Sequence, residues 1–98
     1  MAEIRWTHEA AAWLEDIYRY IVRESPSGAA KVAKGIYTKV QILAEFPEIG
    51  YRHRRTVEGD IRVLLYGHYR IAYLLREDKD VVEILGIFHA ALDIDRYL

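Results

Sequence analysis

The first half of the chain carries apolar residues at steps of three and four positions. One such repeat covers Ala10–Ile21, and a second covers Ala29–Leu43. Because an α-helix turns once about every 3.6 residues, this spacing predicts two amphipathic helices. The first should end near Glu24, and Phe46–Pro47 should stop the second. The break at Ser25–Gly28 is short, so the two helices are expected to pack as an antiparallel hairpin.

Beyond Gly59 the period of the pattern changes from helical to alternating. Three runs rich in β-branched and aromatic residues follow one another, at Arg62–Tyr66, Tyr69–Tyr73 and Val81–His89. A glycine-containing segment and a charged segment separate them, as is typical of tight turns. In the middle run one set of alternate positions is apolar and the other is mixed, which indicates a sheet with one face against helices. The three runs predict an antiparallel meander.

Two further segments complete the predicted order. Glu3–Trp6 is a short β-prone start, expected along an edge of the same sheet because an isolated strand leaves its backbone groups unpaired. Pro47–Gly50 is predicted to turn out of the hairpin, and the polar segment from there to Asp60 is predicted to be irregular. The expected fold is therefore α+β with the order βααβββ, in which an N-terminal strand and an antiparallel helical hairpin pack on a small antiparallel sheet.

Composition is consistent with one domain over residues 1–98. The 98 residues are 52% hydrophobic and 12% aromatic, enough for one modest core. The chain has no cysteine, which excludes disulfides and thiolate chemistry, and its four histidines are too scattered for a zinc site, so neither a metal nor a cofactor is expected. No apolar run approaches the roughly 18 residues that cross a bilayer, so a cytoplasmic protein without membrane contact is expected.

Charge is distributed by segment. The whole chain has a net charge of −1. Tyr51–Arg70 holds five arginines against two acidic residues, whereas Arg76–Leu98 holds three basic and six acidic residues. The candidate target-binding residues Arg52, Arg54 and Arg55 therefore form a basic patch for nucleic acid or for an acidic partner. The alternative is that these three arginines form an ordinary solvated face.

Several short motifs accompany the predicted elements: Pro47-Glu-Ile-Gly50, Gly59-Asp-Ile-Arg62, Tyr69-Arg-Ile-Ala-Tyr73, and Ile84 to His89 followed by Asp93-Ile94. In this order they resemble the RelE/ParE family of small bacterial toxins over nearly the whole chain. The resemblance implies the toxin of a type II toxin–antitoxin pair, held inactive by a cognate antitoxin whose extended or helical tail wraps it, and it is compatible with a heterotetramer. The antitoxin is expected to dock in the apolar groove between the helical hairpin and the sheet.

Family members that resemble RelE cut messenger RNA in the ribosome without a metal. Attack by a ribose 2′-hydroxyl needs a base, a cation near the developing charge and an acid for the leaving oxygen. By resemblance, the catalytic candidates of such a nuclease are Arg62, Arg70, His89 and Tyr97. The set is incomplete, because apolar residues follow Arg62 where the nucleases carry paired lysines. The net charge of −1 also disfavours a protein that binds the ribosome and mRNA.

Members that resemble ParE poison DNA gyrase instead, and the end of this chain resembles them more closely. His89 is followed by small residues and then by Asp93-Ile94, as in their pattern. A ParE-like gyrase poison is therefore the preferred hypothesis. The chain departs from the pattern at Gly86 and Leu92, where many members have arginine. A degenerate member that only binds its partner is accordingly the third hypothesis.

The candidate residues also have purely structural interpretations. Arg70 can be an outward strand residue that pairs with a carboxylate across the sheet. His89 can be a hydrogen-bonded histidine at a strand end, and Tyr97 an ordinary packing residue. Trp6, Trp13 and the eight tyrosines are expected mostly in the core or between the helices.

Overall fold

The computed structural model describes residues 1–98 and contains two helices and five strands. In chain order the elements are β1 (Glu3–Trp6), α1 (His8–Val22), α2 (Pro26–Gln41), β2 (Tyr51–Thr56), β3 (Gly59–Tyr66), β4 (Tyr69–Arg76) and β5 (Val81–His89). Short 3₁₀ turns follow α2 at Ile42–Ala44 and β5 at Ile94–Arg96. The predicted α+β class, the two helices and the three-stranded meander are confirmed. Neither helix is long and apolar enough to cross a membrane.

Both helices begin where a side chain satisfies a free backbone N–H group. The Thr7 hydroxyl accepts a hydrogen bond from the Ala10 N–H at 3.1 Å. The Ser25 hydroxyl accepts one from the Gly28 N–H at 3.0 Å. Pro26 occupies the first turn of α2, where its missing N–H costs no intrahelical bond. These caps define where each helix starts, and so they limit the link between the two helices to a few residues.

The five strands form one sheet in the order β1-β5-β4-β3-β2. Neighbours from β2 to β5 pair antiparallel. β1 pairs in parallel with the first half of β5, from Glu3 opposite Val81 to Trp6 opposite Ile84. The predicted edge position of the first strand is confirmed. Its parallel pairing, however, makes the sheet mixed and not antiparallel throughout.

The prediction of an irregular segment before Asp60 is wrong, because Tyr51–Thr56 forms the edge strand β2. The sequence of this strand has no apolar alternation and carries arginine or histidine at most positions, so hydrophobic periodicity cannot reveal it. Backbone pairing with β3 holds the strand, with a bulge between Arg52 and Arg54. A charged edge of this kind also discourages pairing with foreign strands.

The sheet buries apolar side chains on both faces. The main core lies on the helix side and consists of Ala10, Ile36, Val40, Leu43, Leu64, Ile71, Tyr73, Leu75, Val82, Ile84 and Ile87. A smaller cluster on the opposite face consists of Val63, Ala72, Phe88 and Ile94. Because Ile94 follows β5, the last residues of the chain cover much of this face, and Trp13 of α1 also packs against the cluster. The middle of β4 is therefore buried on both sides, with no residue of Ile71–Leu75 more than 7% exposed.

Gly86 lies beneath the ring of Phe88 in the smaller cluster. A Cβ atom on Gly86 would lie 2.3 Å from Phe88 Cζ, far inside van der Waals contact. The glycine thus allows the Phe88 ring to pack closely against the sheet. An arginine, which the RelE/ParE resemblance favours at this position, could be accommodated only if Phe88 moved.

Tyr73 joins the sheet to the turn that follows α2. Its side chain is fully buried. The hydroxyl donates a hydrogen bond to the Pro47 carbonyl at 2.7 Å and accepts one from the Gly50 N–H at 3.0 Å. Burial raises the pKa of the Tyr73 phenol, which keeps the hydroxyl in the neutral form that can donate. These two bonds hold the turn against β4 and so position the start of β2.

Replacing Tyr73 by Phe removes both hydrogen bonds and leaves the ring in place. We expect the free energy of unfolding to fall by about 1–3 kcal/mol, because the buried Gly50 N–H loses its acceptor. Urea unfolding followed by circular dichroism measures the change. Tyr51→Phe, at a side chain 49% exposed, is the matched control and should change stability by less than about 0.5 kcal/mol. Equal stability of the two variants would contradict this role for Tyr73.

Candidate functional site

Three of the candidate arginines converge on one carboxylate at the β2–β3 end of the sheet. Arg52 Nε lies 3.2 Å from Asp60 Oδ2, and Arg55 Nη1 lies 3.0 Å from Asp60 Oδ1. Arg62 Nη2 lies 3.5 Å from Asp60 Oδ2. Asp60 itself is 8% exposed. The three guanidinium groups are therefore ordered by a shared internal anion, and this Asp60 cluster combines two target-binding candidates with one catalytic candidate.

Burial and the arginines act on the Asp60 carboxyl group in opposite directions. Burial raises its pKa, whereas Arg52, Arg55 and Arg62 lower it, and the resulting pKa lies below the ordinary value of 3.8. The carboxyl group is therefore ionised at neutral pH. A buried carboxylate in that state needs its cationic partners, since unpaired charge is costly away from water.

Arg62 is the most enclosed member of the Asp60 cluster. Its side chain is 15% exposed. Besides facing Asp60, Nη1 donates hydrogen bonds to the Glu48 carbonyl at 3.1 Å and to the Gly50 carbonyl at 2.6 Å. These contacts tie β3 to the same turn that Tyr73 binds. Arg52 and Arg55 differ, because more than half of each side chain remains exposed, 54% and 55%.

The remaining basic residues of β2 bind the end of the chain. Arg54 Nη2 donates to the Leu98 carbonyl at 3.1 Å. His53 Nε2 and Asp95 Oδ1 lie 2.7 Å apart. With Ile94 in the smaller cluster, these contacts fasten the C-terminal residues across the face opposite the helices. The three arginines of the predicted basic patch are thus divided, two at the Asp60 cluster and one at the C-terminal segment.

Arg70 is also engaged within the chain. Its Nη2 donates to the Leu92 carbonyl, so it binds backbone just after β5 and not a carboxylate across the sheet. The structural interpretation of Arg70 predicts an ion pair with a carboxylate across the sheet, and the contact to the Leu92 carbonyl takes its place. It also places Arg70 among the residues that hold the C-terminal segment.

His89 and Tyr97, the other two catalytic candidates, also contact residues within the chain. His89 Nδ1 accepts a hydrogen bond from the Ala91 N–H at 3.1 Å. The His89 ring stacks on His68 with centroids 6.3 Å apart and meets the Tyr69 ring edge-on at 5.8 Å. Tyr97 packs edge-on against Trp13 at 5.1 Å. All of these are packing or capping contacts.

The structure does not bring the four catalytic candidates onto one surface. Arg62 is opposite Tyr73 in the sheet, and Tyr73 belongs to the core beneath the helices. Arg70 is opposite Phe88, which belongs to the cluster on the other face. Because cross-strand partners share a face, Arg62 and Arg70 project to opposite sides of the sheet. His89 faces the helix side, but it lies next to α1 at the far end of β5.

Sequence reasoning missed an apolar groove on the outside of the helical hairpin. The groove has a volume of about 380 Å³ and is lined by Trp6, Ala11, Leu14, Glu15, Tyr18, Ala33 and Tyr37. Tyr37 is 54% exposed, and its ring stacks on Trp6 with centroids 6.4 Å apart. The sequence predicts the tyrosines mostly in the core or between the helices, but five of the eight are more than a third exposed, so most of them are not core residues. The aromatic residues at outward positions of both helices could have indicated this groove from the sequence.

Comparison with known proteins matches almost the whole chain to one family. The model of the ParE toxin of type II toxin-antitoxin systems, parDE, matches residues 4–94. A protein named "Putative toxin Y4kP" from Sinorhizobium fredii (strain NBRC 101917 / NGR234) is 39% identical over 87 residues, which are 89% of this chain and 86% of that protein. Toxin RelE2 from Caulobacter vibrioides is 34% identical over 91 residues, 93% of this chain and 98% of that protein.

A solved structure shows the same fold. A chain of the chromosomal ParDE toxin–antitoxin system from P. aeruginosa superposes with a TM-score of 0.74 at 24% identity, and the match covers 91% of this chain and 96% of that chain. The resemblance inferred from the motifs is therefore confirmed. This chain belongs to the ParE toxin family of type II toxin–antitoxin systems.

Proposed function

We propose that this toxin acts as a binding poison of DNA gyrase in the ParE manner and that a cognate antitoxin neutralises it by covering the helical hairpin. The observation that carries the first part is the division of the candidate cations. Arg62 and Arg70 project to opposite faces of the sheet, and each already has backbone partners inside the chain.

Cleavage of RNA makes a geometric demand that this arrangement does not meet. The base, the cation and the acid must all reach one phosphate, within hydrogen-bond distance of the reacting atoms. Arg62 has the sheet between it and Arg70, and His89 lies at the other end of the helix side. A nuclease would need these groups on one open surface. The arrangement therefore favours a poison that works by binding, and a net charge of −1 supports the same choice.

The proposed target-binding surface is the open edge of the sheet at β2, where Arg52 and Arg55 lie at the Asp60 cluster and Arg54 lies at the C-terminal segment. Arg52, Arg54 and Arg55 each spend part of their hydrogen-bonding capacity inside the chain and present the rest outward. Internal partners already restrict the rotamers of these long side chains, so less rotamer freedom is lost on binding. Such pre-organised cations bind acidic or phosphate groups at a lower entropic cost. β2 is also an edge strand, so this surface is open on one side.

The proposed antitoxin surface is the apolar groove on the hairpin, where Trp6, Tyr18 and Tyr37 are partly exposed. Aromatic residues in a concave apolar site are the usual anchors for an amphipathic helix or an extended peptide. The groove also borders β1, the other edge strand of the sheet. A partner could therefore fill the groove and pair with the edge of β1 in one continuous contact.

We expect the purified toxin to block DNA supercoiling by gyrase and to increase cleaved DNA, while messenger RNA in a translating extract stays intact. Arg54→Gln should weaken the inhibition at least about tenfold, since one outward charged contact is lost. Arg19→Gln, at an exposed side chain of α1, is the matched control and should inhibit as the parent chain does.

Each alternative function has its own result in the same experiment. Cut transcripts with unaffected supercoiling would replace the gyrase proposal by the nuclease. Unaffected supercoiling together with intact transcripts, with folded protein confirmed by circular dichroism, would instead indicate a member that only binds its partner. Growth arrest with a DNA-damage response in cells that express the toxin alone would agree with the gyrase proposal.

Replacing Asp60 by Asn tests whether the arginines around it form a structural cluster. We expect a lower midpoint of thermal unfolding at pH 7, because the three guanidinium groups lose their shared anion. The folded-state pKa of Asp60 lies below its ordinary value of 3.8. The stabilisation from its ionised form is therefore complete above that value and disappears as pH falls through the folded-state pKa.

The midpoints of the parent chain and of Asp60→Asn should accordingly move closer together as pH is lowered from 7 to below the ordinary pKa of 3.8. Scanning calorimetry over this range measures the difference. Asp16→Asn, at an exposed position of α1, serves as the control and should show little difference at any pH. A difference between parent and Asp60→Asn that stays constant with pH would rule out the ionised cluster.

The groove proposal predicts that Tyr37→Ala weakens the complex with the antitoxin by about 10- to 100-fold, as is typical of a central aromatic anchor. Tyr20→Ala provides the control, since that side chain is 78% exposed and lies outside the groove. Calorimetric titration with the purified cognate antitoxin measures both. Equal affinities would place the antitoxin elsewhere.

A further inference from the structure

Three of the four lysines of the chain lie on α2, at Lys31, Lys34 and Lys39. No other charged residue occurs from residue 25 to residue 44. This stretch therefore carries a charge of +3 in a chain whose net charge is −1. Such a concentration of one sign on one helix creates a local positive potential.

The three lysines border one groove. It has a volume of about 410 Å³ and is lined by Lys31, Lys34, Gly35, Thr38, Lys39, Ile42 and Tyr66. The surface inside this lysine groove is mostly apolar. Lysine side chains commonly lay their methylene stems on apolar surface and hold the ammonium group in water. The groove thus combines an apolar floor with a rim of positive charge.

The floor depends on a close approach of Tyr66 to α2. A Cβ atom on Gly35 would lie 1.8 Å from Tyr66 Oη and 2.4 Å from Tyr66 Cζ. The missing side chain therefore allows the end of β3 to place an aromatic ring directly against the helix. A glycine inside a helix destabilises it relative to alanine. Gly35 therefore lowers the stability of α2, but it makes room for the Tyr66 ring that shapes the groove.

The lysines at the rim are free to bind a partner. None of the three has an ion-pair partner in the chain. The fourth lysine, Lys79, pairs with Glu48 at 2.5 Å. Among the lysines, only those at the groove thus keep their charge uncompensated.

We propose that the lysine groove binds an acidic amphipathic segment of a protein partner, with carboxylates at the lysine rim and an apolar side chain on Ile42 and Tyr66. In the cell this segment would come from the antitoxin of the proposed function, on which the inference rests. A nucleic acid backbone would satisfy the rim, but it offers no apolar side chain for the floor. The combination of both features favours a peptide.

The spacing of the lysines defines the segment further. Lys31 and Lys39 are eight residues apart, which is about 12 Å along a helix. A segment that lies along α2 would therefore need acidic residues at intervals of three or four positions over about two helical turns. One or two apolar residues between them would face the floor.

Selection from a display library of random 12-residue peptides, with the full-length chain as bait, tests this proposal. We expect the enriched peptides to combine acidic residues with leucine or an aromatic residue. A synthetic copy of one such peptide should bind the triple variant at least 30-fold more weakly than the parent chain. The triple variant replaces every lysine of the rim, K31Q, K34Q and K39Q. Ile42→Ser, which changes the floor without changing charge, should weaken binding about tenfold.

A matched triple variant controls for the change in net charge. It removes three exposed cations that already have acidic partners, R5Q, R19Q and K79Q. Its affinity for the peptide should stay within twofold of the parent value. Thermal unfolding of every variant confirms that it is folded.

Four outcomes would overturn the proposal. The enriched peptides could lack an acidic bias, or they could bind the lysine variant as well as the parent chain. A 15-base-pair duplex DNA that binds the lysines more tightly than any peptide would mark a phosphate surface. Self-association in sedimentation experiments that the lysine variant abolishes would assign the groove to a second copy. None of these measurements involves gyrase or the antitoxin itself, so a failure of the gyrase proposal, or of the antitoxin surface that Tyr37→Ala tests, would be seen separately.

Discussion

The burial of β4 on both faces is the constraint on which the rest of the structure depends. Ile71, Tyr73 and Leu75 face the helices, while Ala72 belongs to the cluster on the other side. A strand of this kind needs two covers, since a sheet with one bare apolar face would be unstable in water. The helical hairpin provides the first cover. The nine residues after β5 provide the second, which explains why so many polar side chains bind that short segment.

A second organising element is the Asp60 carboxylate. This one buried anion aligns Arg52, Arg55 and Arg62. A segment that looks like a basic surface patch in the sequence is therefore partly an internal ion-pair cluster. Arg62 becomes part of the framework, because the turn after α2 also binds it. Arg52 and Arg55 keep more than half of each side chain exposed, and Arg55 also pairs with Glu77 at the surface. Under the proposed function, Arg52 and Arg55 would therefore combine a structural contact to Asp60 with a contact to the target.

The helical hairpin separates two grooves of different chemistry. The groove between Trp6 and Tyr37 is apolar with aromatic walls, whereas the lysine groove on the other flank of α2 has an apolar floor and a positive rim. A partner that contacts both would wrap around α2. Such a partner would need apolar residues for one groove and acidic residues for the other, at the correct spacing. An unrelated protein meets this double requirement less easily than a single apolar contact.

The sequence by itself determined the two helices, the three-stranded meander and the family, because periodicity and short motifs are local properties of the chain. It did not reveal β2, since a strand held by backbone pairing and by ion pairs has no apolar alternation. Nor could it assign Arg62 and Arg70 to opposite faces, or place Tyr37 against Trp6. Only the tertiary structure decided these points, because cross-strand register, a shared anion and groove shape depend on residues distant in the chain.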